Sequence, residues 1–194
     1  RAITLGLLVI GSLLQTALAQ RQPDKIELSA WLGKYPARSA LEAEVLNERL
    51  LAFGEQGIVH LCLLLQESDS LRTQAEFALN GLAIYLSQPE KQSQRKRYAR
   101  ALATALQTGL SSQNKAFLLQ QLALTGTNQA LPAIEPLLHD PRLADAAIRT
   151  LLALGTKKAQ QTLIDAYNHA ENAIKVKMLS AFTHIENDKA IAIL

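Results

Sequence analysis

Four residues set the period of this chain. Leu122, Gly126, Ala130 and Ile134 return 29 positions later as Leu151, Gly155, Ala159 and Leu163, and 31 positions after that as Phe182, Glu186, Ala190 and Leu194. A looser copy, Leu50, Gly54, Ile58 and Cys62, stands 72 positions before the first set. Self-similarity at this period predicts stacked helix pairs. One such pair cannot fold alone. Each buried Leu or Ile contributes about 1.5–3 kcal/mol, while ordering each residue costs about 1–2 kcal/mol of backbone entropy. Only neighbouring pairs close that gap. The fold class expected is therefore all-α, an α-solenoid, an architecture on which many functions can be placed.

Apolar spacing supports helices from Asp24 onward. Leu71, Ala75, Ala78, Leu82 and Tyr85 step by four, three, four and three onto one stripe, which Leu79 and Leu86 widen. Ser39-Ala40-Leu41-Glu42 reads as a capping box. Asp140-Pro141 reads as an N-cap with proline at the first helical position. Gly54, Gly126 and Gly155 are expected to end helices in the left-handed conformation. The division that follows is a leader helix at 24–32 and a turn at 33–38, then five pairs: 40–53 with 56–66, 70–86 with 90–108, 113–124 with 129–139, 142–154 with 158–169, and 172–185 with a helix opening at Asp188.

Residues 1–19 read as a secretory signal peptide. Arg1 precedes the uncharged run Ile3–Leu14, and Ala17-Leu18-Ala19 gives the small-x-small pattern of a cleavage site before Gln20. The run is short for a membrane span, which needs roughly 20 apolar residues, and no basic cluster follows it. An exported chain, periplasmic or secreted, is expected, with residues 20–38 as leader helix and turn and 39–194 as the helical array. The chain opens on Arg1 rather than Met, so residues are expected before it. Its last helix stops with Ile191, Ile193 and Leu194 unopposed, so the array is expected to continue past Leu194.

Charge and cysteine content narrow the chemistry. The net formal charge is +3, and +2 once Arg1 is removed, too small an excess for a nucleic-acid footprint. Cys62 is the single cysteine, so no internal disulfide is possible and packing alone must hold the fold. Within Ile58–Leu65 it reads as a buried thiol rather than a nucleophile. There is no phosphate-binding glycine loop, no H-E-x-x-H, no G-x-S-x-G and no cysteine pair. His60, His139, His169 and His184 fall on different expected helices. Glu42, Glu44 and Glu48 share one helix and read as solvated. No catalytic residue, metal ligand or cofactor is expected.

The run Gln121-Leu-Ala-Leu-Thr-Gly-Thr-Asn-Gln-Ala-Leu-Pro-Ala-Ile134 resembles a HEAT-type repeat in its helix end, its Gly/Asn turn and its second-helix start. Leu151-Leu-Ala-Leu-Gly155 and Leu50-Leu-Ala-Phe-Gly54 repeat the first half, whereas the second pair is longer and lacks the glycine turn. The resemblance implies a right-handed α-solenoid of about five antiparallel pairs, an armadillo-like superhelix whose second helices line the concave side and which acts as a scaffold. A secretory signal followed by irregular HEAT-like units also resembles the N-terminal region of exported proteins that carry a 3-keto-disaccharide hydrolase-type domain. That resemblance implies a catalytic domain beyond Leu194, with this segment as its helical accessory.

Two surfaces stand out as candidates. If second helices line the concave side, Glu135 and His139 of one pair and Lys158, Gln161, Asp165 and Asn168 of the next form a shared polar strip. The densest charge, Lys91, Arg95, Lys96, Arg97 and Arg100, sets Lys96, Arg97 and Arg100 opposite the Tyr98–Leu102–Ala105 stripe, where they suit an anionic glycan or lipid. The expected function is a non-catalytic scaffold or binding region. Its partner is expected to be a protein, a downstream domain of the same chain or a glycan, with no nucleic acid and no membrane span after signal cleavage.

Overall fold

The computed structural model describes residues 25–67, 69–185 and 187–194. The signal-peptide reading of residues 1–19 and the repeat position Glu186 lie outside them. Among the described residues there is no strand; there are eleven α-helices and four short 3-10 turns. They are α1 (Lys25–Leu32), α2 (Ala40–Ala52), α3 (Gly54–Leu63), α4 (Asp69–Leu86), α5 (Gln92–Leu106), α6 (Ser112–Thr125), α7 (Leu131–Ile134), α8 (Ala144–Leu154), α9 (Lys157–His169), α10 (Asn172–Phe182) and α11 (Asp188–Ile191). The all-α expectation holds. None of these helices is long and apolar enough to cross a membrane.

Local chemistry explains where helices begin and stop, and where the expectations need correcting. Ser39 Oγ accepts the Glu42 N–H, as a capping box requires. The Glu42 carboxylate, however, reaches back to the Arg38 N–H at 2.6 Å rather than to that of Ser39. Asp140 does not cap α8. Its carboxylate takes the Arg142 N–H and its carbonyl takes those of Leu143 and Ala144, so Pro141 opens a turn and the helix starts at Ala144. The expected helix 129–139 is broken into a 3-10 turn (Asn128–Ala130), the four-residue α7 and a second 3-10 turn (Glu135–His139). Pro136 has no N–H for the carbonyl of Pro132, and its ring crowds that carbonyl, so the backbone tightens there.

Glycines meet two different needs. Gly54 and Gly155 lie in the left-handed region, at φ +70° and +59°. Gly126 does not: at φ −64° any residue is comfortable. It is small because a Cβ there would collide with the Leu122 carbonyl and stand 2.8 Å from Leu154 Cδ2. The left-handed expectation for Gly126 is thus replaced by close approach between α6 and α8.

Packing follows two series. Helix α2 meets α4, α4 meets α6, α6 meets α8, and α8 meets α10. Beside them α3 meets α5, α5 meets α7, and the 3-10 turn after α7 meets α9. The recurring apolar positions supply the core: Leu122, Ala130, Ile134, Leu151, Ala159, Leu163, Phe182 and Ala190 are all buried. Leu194 is 61% exposed. On α4 the expected stripe is buried except for half-buried Leu71. Cys62 is fully buried, and burial pushes its thiol pKa up, which suits a packing role.

Buried polar side chains cross the seams. Asn47 Nδ2 reaches Gly81 O at 3.5 Å from α2 to α4, and Tyr98 Oη donates to Leu79 O at 2.8 Å from α5 to α4. Asn114 Nδ2 donates to Leu65 O at 3.0 Å, and Thr150 Oγ1 to Leu119 O at 3.0 Å from α8 to α6.

The two glycine mechanisms separate by substitution. Gly126→Ala is expected to destabilise the protein by about 1–3 kcal/mol through overpacking, and Gly54→Ala by about 1–2 kcal/mol through its positive φ alone. Gly109, with open space around it and no positive φ, is expected to accept alanine unchanged or with up to about 1 kcal/mol gained. Urea unfolding of the three variants checks the order; a Gly126→Ala variant as stable as Gly109→Ala contradicts it.

Candidate functional site

The strip anticipated on the second helices is exposed but partly self-satisfied. Glu135, His139, Lys158, Asp165 and Asn168 face solvent, and Gln161 is half-buried. Gln161 Nε2 donates to Asp165 Oδ1 at 2.6 Å, and Lys189 Nζ reaches Gln161 Oε1 at 3.4 Å. The turn carrying Glu135 and His139 packs against α9. Among the described residues no group of three or more His, Cys, Asp or Glu side chains is placed to hold a metal ion.

The basic cluster is divided by acids from earlier helices. Lys91 Nζ lies 2.9 Å from Glu48 Oε1 and also donates to Tyr85 Oη, whose hydroxyl donates to the same carboxylate. Glu48 is therefore tied down rather than simply solvated, as its sequence setting suggested. Arg100 pairs with Glu55 at 3.0 Å. Arg95 reaches Ser87 O at 3.4 Å. Lys96 and Arg97 stay exposed. The hydrogen bond from Lys91, then that from Tyr85, holds the Glu48 carboxyl below the usual glutamate range, and the same contacts raise Lys91.

Grooves open instead along the even-numbered helices. One, of about 390 Å³, lies among α4, α6 and α8 and is lined by Asn80, Gln120, Gln121, Ala123, Leu124, Ala146, Arg149 and Thr150. A second, of about 230 Å³, shares Asn80 and adds Thr73, Glu76, Phe77 and Phe117. A third, of about 550 Å³, lies beside α1 and α2 and is lined by Trp31, Glu44, Val45, Glu48, Arg49 and Ala52. The first is within the size range of ligand sites. Phe77 and Leu124 remain 47% and 52% exposed, large apolar side chains left in water beside the grooves. Gln121 is only 3% exposed, and its Oε1 has no hydrogen-bond partner.

The lining keeps the period of the sequence. Stepping by 72 and then 29 positions, Val45 corresponds to Phe117 and Ala146, Glu48 to Gln120 and Arg149, and Arg49 to Gln121 and Thr150. All nine line a groove. Sequence reasoning missed this face because it set the second helices inward and assigned the first helices only a buried stripe. The available signal was a polar residue, Gln121 or Thr150, directly before the recurring leucine.

Glu48 offers a check on the electrostatics. Its folded pKa is lowered, so the stabilisation it contributes is present above the ordinary glutamate value of 4.5 and is lost as pH falls through the lower folded value. The carboxylate is about half exposed, so the effect is small. Glu48→Gln is expected to be less stable than the parent at neutral pH, with the difference shrinking as pH falls below 4.5. Urea midpoints across that range test this, and a pH-independent difference contradicts it. Searches against protein-family models, curated proteins and solved structures give no match to this chain.

Proposed function

We propose that this chain is the non-catalytic binding region of an exported protein. In this reading it is a HEAT-like stack of antiparallel helix pairs whose even-numbered helices carry the contact surface. The supporting observation is the recurrence in the grooves: three register positions, each represented on α2, α6 and α8, line cavities on that series. A stack of similar units repeats its surface as it repeats its core, so a groove position in one unit is a groove position in the next. The chemistry on offer also favours holding over reacting. The groove among α4, α6 and α8 presents carboxamides and a guanidinium. Carboxamides do not titrate and the guanidinium stays protonated, so these groups recognise a ligand without moving its protons. The partner is a protein or a further domain of the same polypeptide, because exposed Phe77 and Leu124 call for apolar side chains to cover them.

Site-specific photocrosslinking in the producing cell tests the surface. A benzophenone side chain at Leu124 is expected to capture a discrete partner, and one at Asp165 is not. Capture from Asp165 alone, or from neither position, overturns the assignment of the even-numbered face. Export is tested separately: the chain recovered outside the cytoplasm is expected to begin at Gln20, and an intact residue 1–19 segment on the purified protein contradicts it.

A further inference from the structure

The groove among α4, α6 and α8 carries one charge, and that charge is unspent. Arg149 is exposed and makes no ion pair among the described residues. The acid one turn before it on α8, Asp145, is taken by Lys177 at 3.1 Å. An unpaired guanidinium in a groove otherwise lined by neutral groups is matched by a carboxylate, which its planar fork can bind through two parallel hydrogen bonds. Around it stand three carboxamides. Asn80 and Gln120 are exposed, and Gln121 is buried with Oε1 lacking a donor. A buried acceptor left unpaired costs free energy that a suitable donor recovers. A carboxamide presents one acceptor and two donors, the complement of a peptide unit, which presents one N–H and one C=O. Leu124 lines the larger groove and Phe77 the smaller, and Asn80 lines both, so each offers apolar contact near it.

We infer that this groove binds a short extended peptide segment carrying a carboxylate. The carboxylate pairs with Arg149, a main-chain N–H donates to Gln121 Oε1 once that amide turns toward the groove, and flanking apolar side chains lie on Leu124 and Phe77. The inference rests on the binding-surface reading above and names the ligand class for it. A sugar is the poorer fit, because Phe77 and Phe117 lie in the smaller groove beside Glu76 and the larger groove has no aromatic ring to stack a pyranose. The carboxylate can be an acidic side chain or a free C-terminus, and the test separates these.

The full chain, labelled with ¹⁵N, is titrated with four probes: N-acetyl-leucyl-aspartyl-leucinamide, its asparaginyl counterpart, N-acetyl-leucyl-leucine and glucuronic acid. At least one of the two carboxylate peptides is expected to shift the side-chain amide signals of Asn80, Gln120 and Gln121. If the aspartyl peptide binds, its asparaginyl counterpart should bind about tenfold more weakly. Saturation by N-acetyl-leucyl-leucine alone identifies a C-terminus as the source. Arg149→Gln is expected to remove the preference for the carboxylate. Gln121→Leu is expected to weaken the bound peptide while leaving Tm unchanged or higher, since it removes an unpartnered buried acceptor. A lower Tm for Gln121→Leu contradicts the inference, because it means that the amide serves the fold. Equal shifts with glucuronic acid, or peptide binding indifferent to Arg149→Gln, also overturn it. No shift with either carboxylate peptide, while Leu124 still captures a partner, overturns the peptide assignment alone. Shifts confined to the Gln161 and Asn168 amides overturn the surface reading with it.

Discussion

A short helix with one apolar face has to bury that face against something, and here the something is the helix two elements away. Helix α4 shows the constraint most fully, being held by α1, α2, α3, α5 and α6. With a single cysteine there is no covalent brace, so these seams carry the stability of the fold. Apolar burial alone would let helices slide along one another. The side chains of Asn47, Tyr98, Asn114 and Thr150 each reach a main-chain carbonyl across a seam. Each such bond is directional, and for Asn47, Tyr98 and Asn114 a sliding helix would leave a buried side-chain donor unpaired, while Thr150 keeps the Ala146 carbonyl of its own helix. Burial supplies the cohesion and these bonds fix the register.

That register is why so much of the fold was legible in the amino-acid sequence. The recurring Leu, Ala and Ile positions are core positions, and helix type follows from their spacing. The helix ends were less legible because they depend on chemistry that spacing does not encode. Two prolines four residues apart, Pro132 and Pro136, broke the helix expected over 129–139. Gly126 was read as a left-handed stop, whereas its φ is negative and a Cβ there would meet the Leu122 carbonyl of its own helix and Leu154 on α8. The share of that demand made by Leu154, 28 positions away, cannot be seen in a window of a few residues.

The candidate site was less legible still, for a related reason. Lys91 and Arg100 read as parts of one basic cluster because they are close in sequence. Their partners, Glu48 and Glu55, lie 43 and 45 positions earlier. Folding converts two of the five cations of the apparent patch into ordinary ion pairs on the surface, each of small energetic weight. The grooves were hidden from the sequence for a similar reason. Periodicity states which residues are buried within a helix, but not which of the two exposed series turns toward a groove.

The register also argues for where on the even-numbered face specificity resides. At one of its positions Glu48, Gln120 and Arg149 follow one another, so the charge runs from negative through neutral to positive. Glu48 is already satisfied by Lys91 and Tyr85, and Gln120 is neutral, which leaves Arg149 as the charge still open to a partner. At the next position Arg49 leans toward Glu27 and the Trp31 ring, and Thr150 spends its hydroxyl on carbonyls of α6 and α8. Gln121, between them, keeps an oxygen unmatched. Glu48, Arg49 and Thr150 thus have partners within the fold, whereas Arg149 makes no ion pair among the described residues and Gln121 Oε1 has no partner, and these two line the same groove. Residues selected only to hold neighbouring helices together would show no reason for the unsatisfied ones to converge, whereas a surface that has to take up a ligand needs its unmet donors and acceptors in one place.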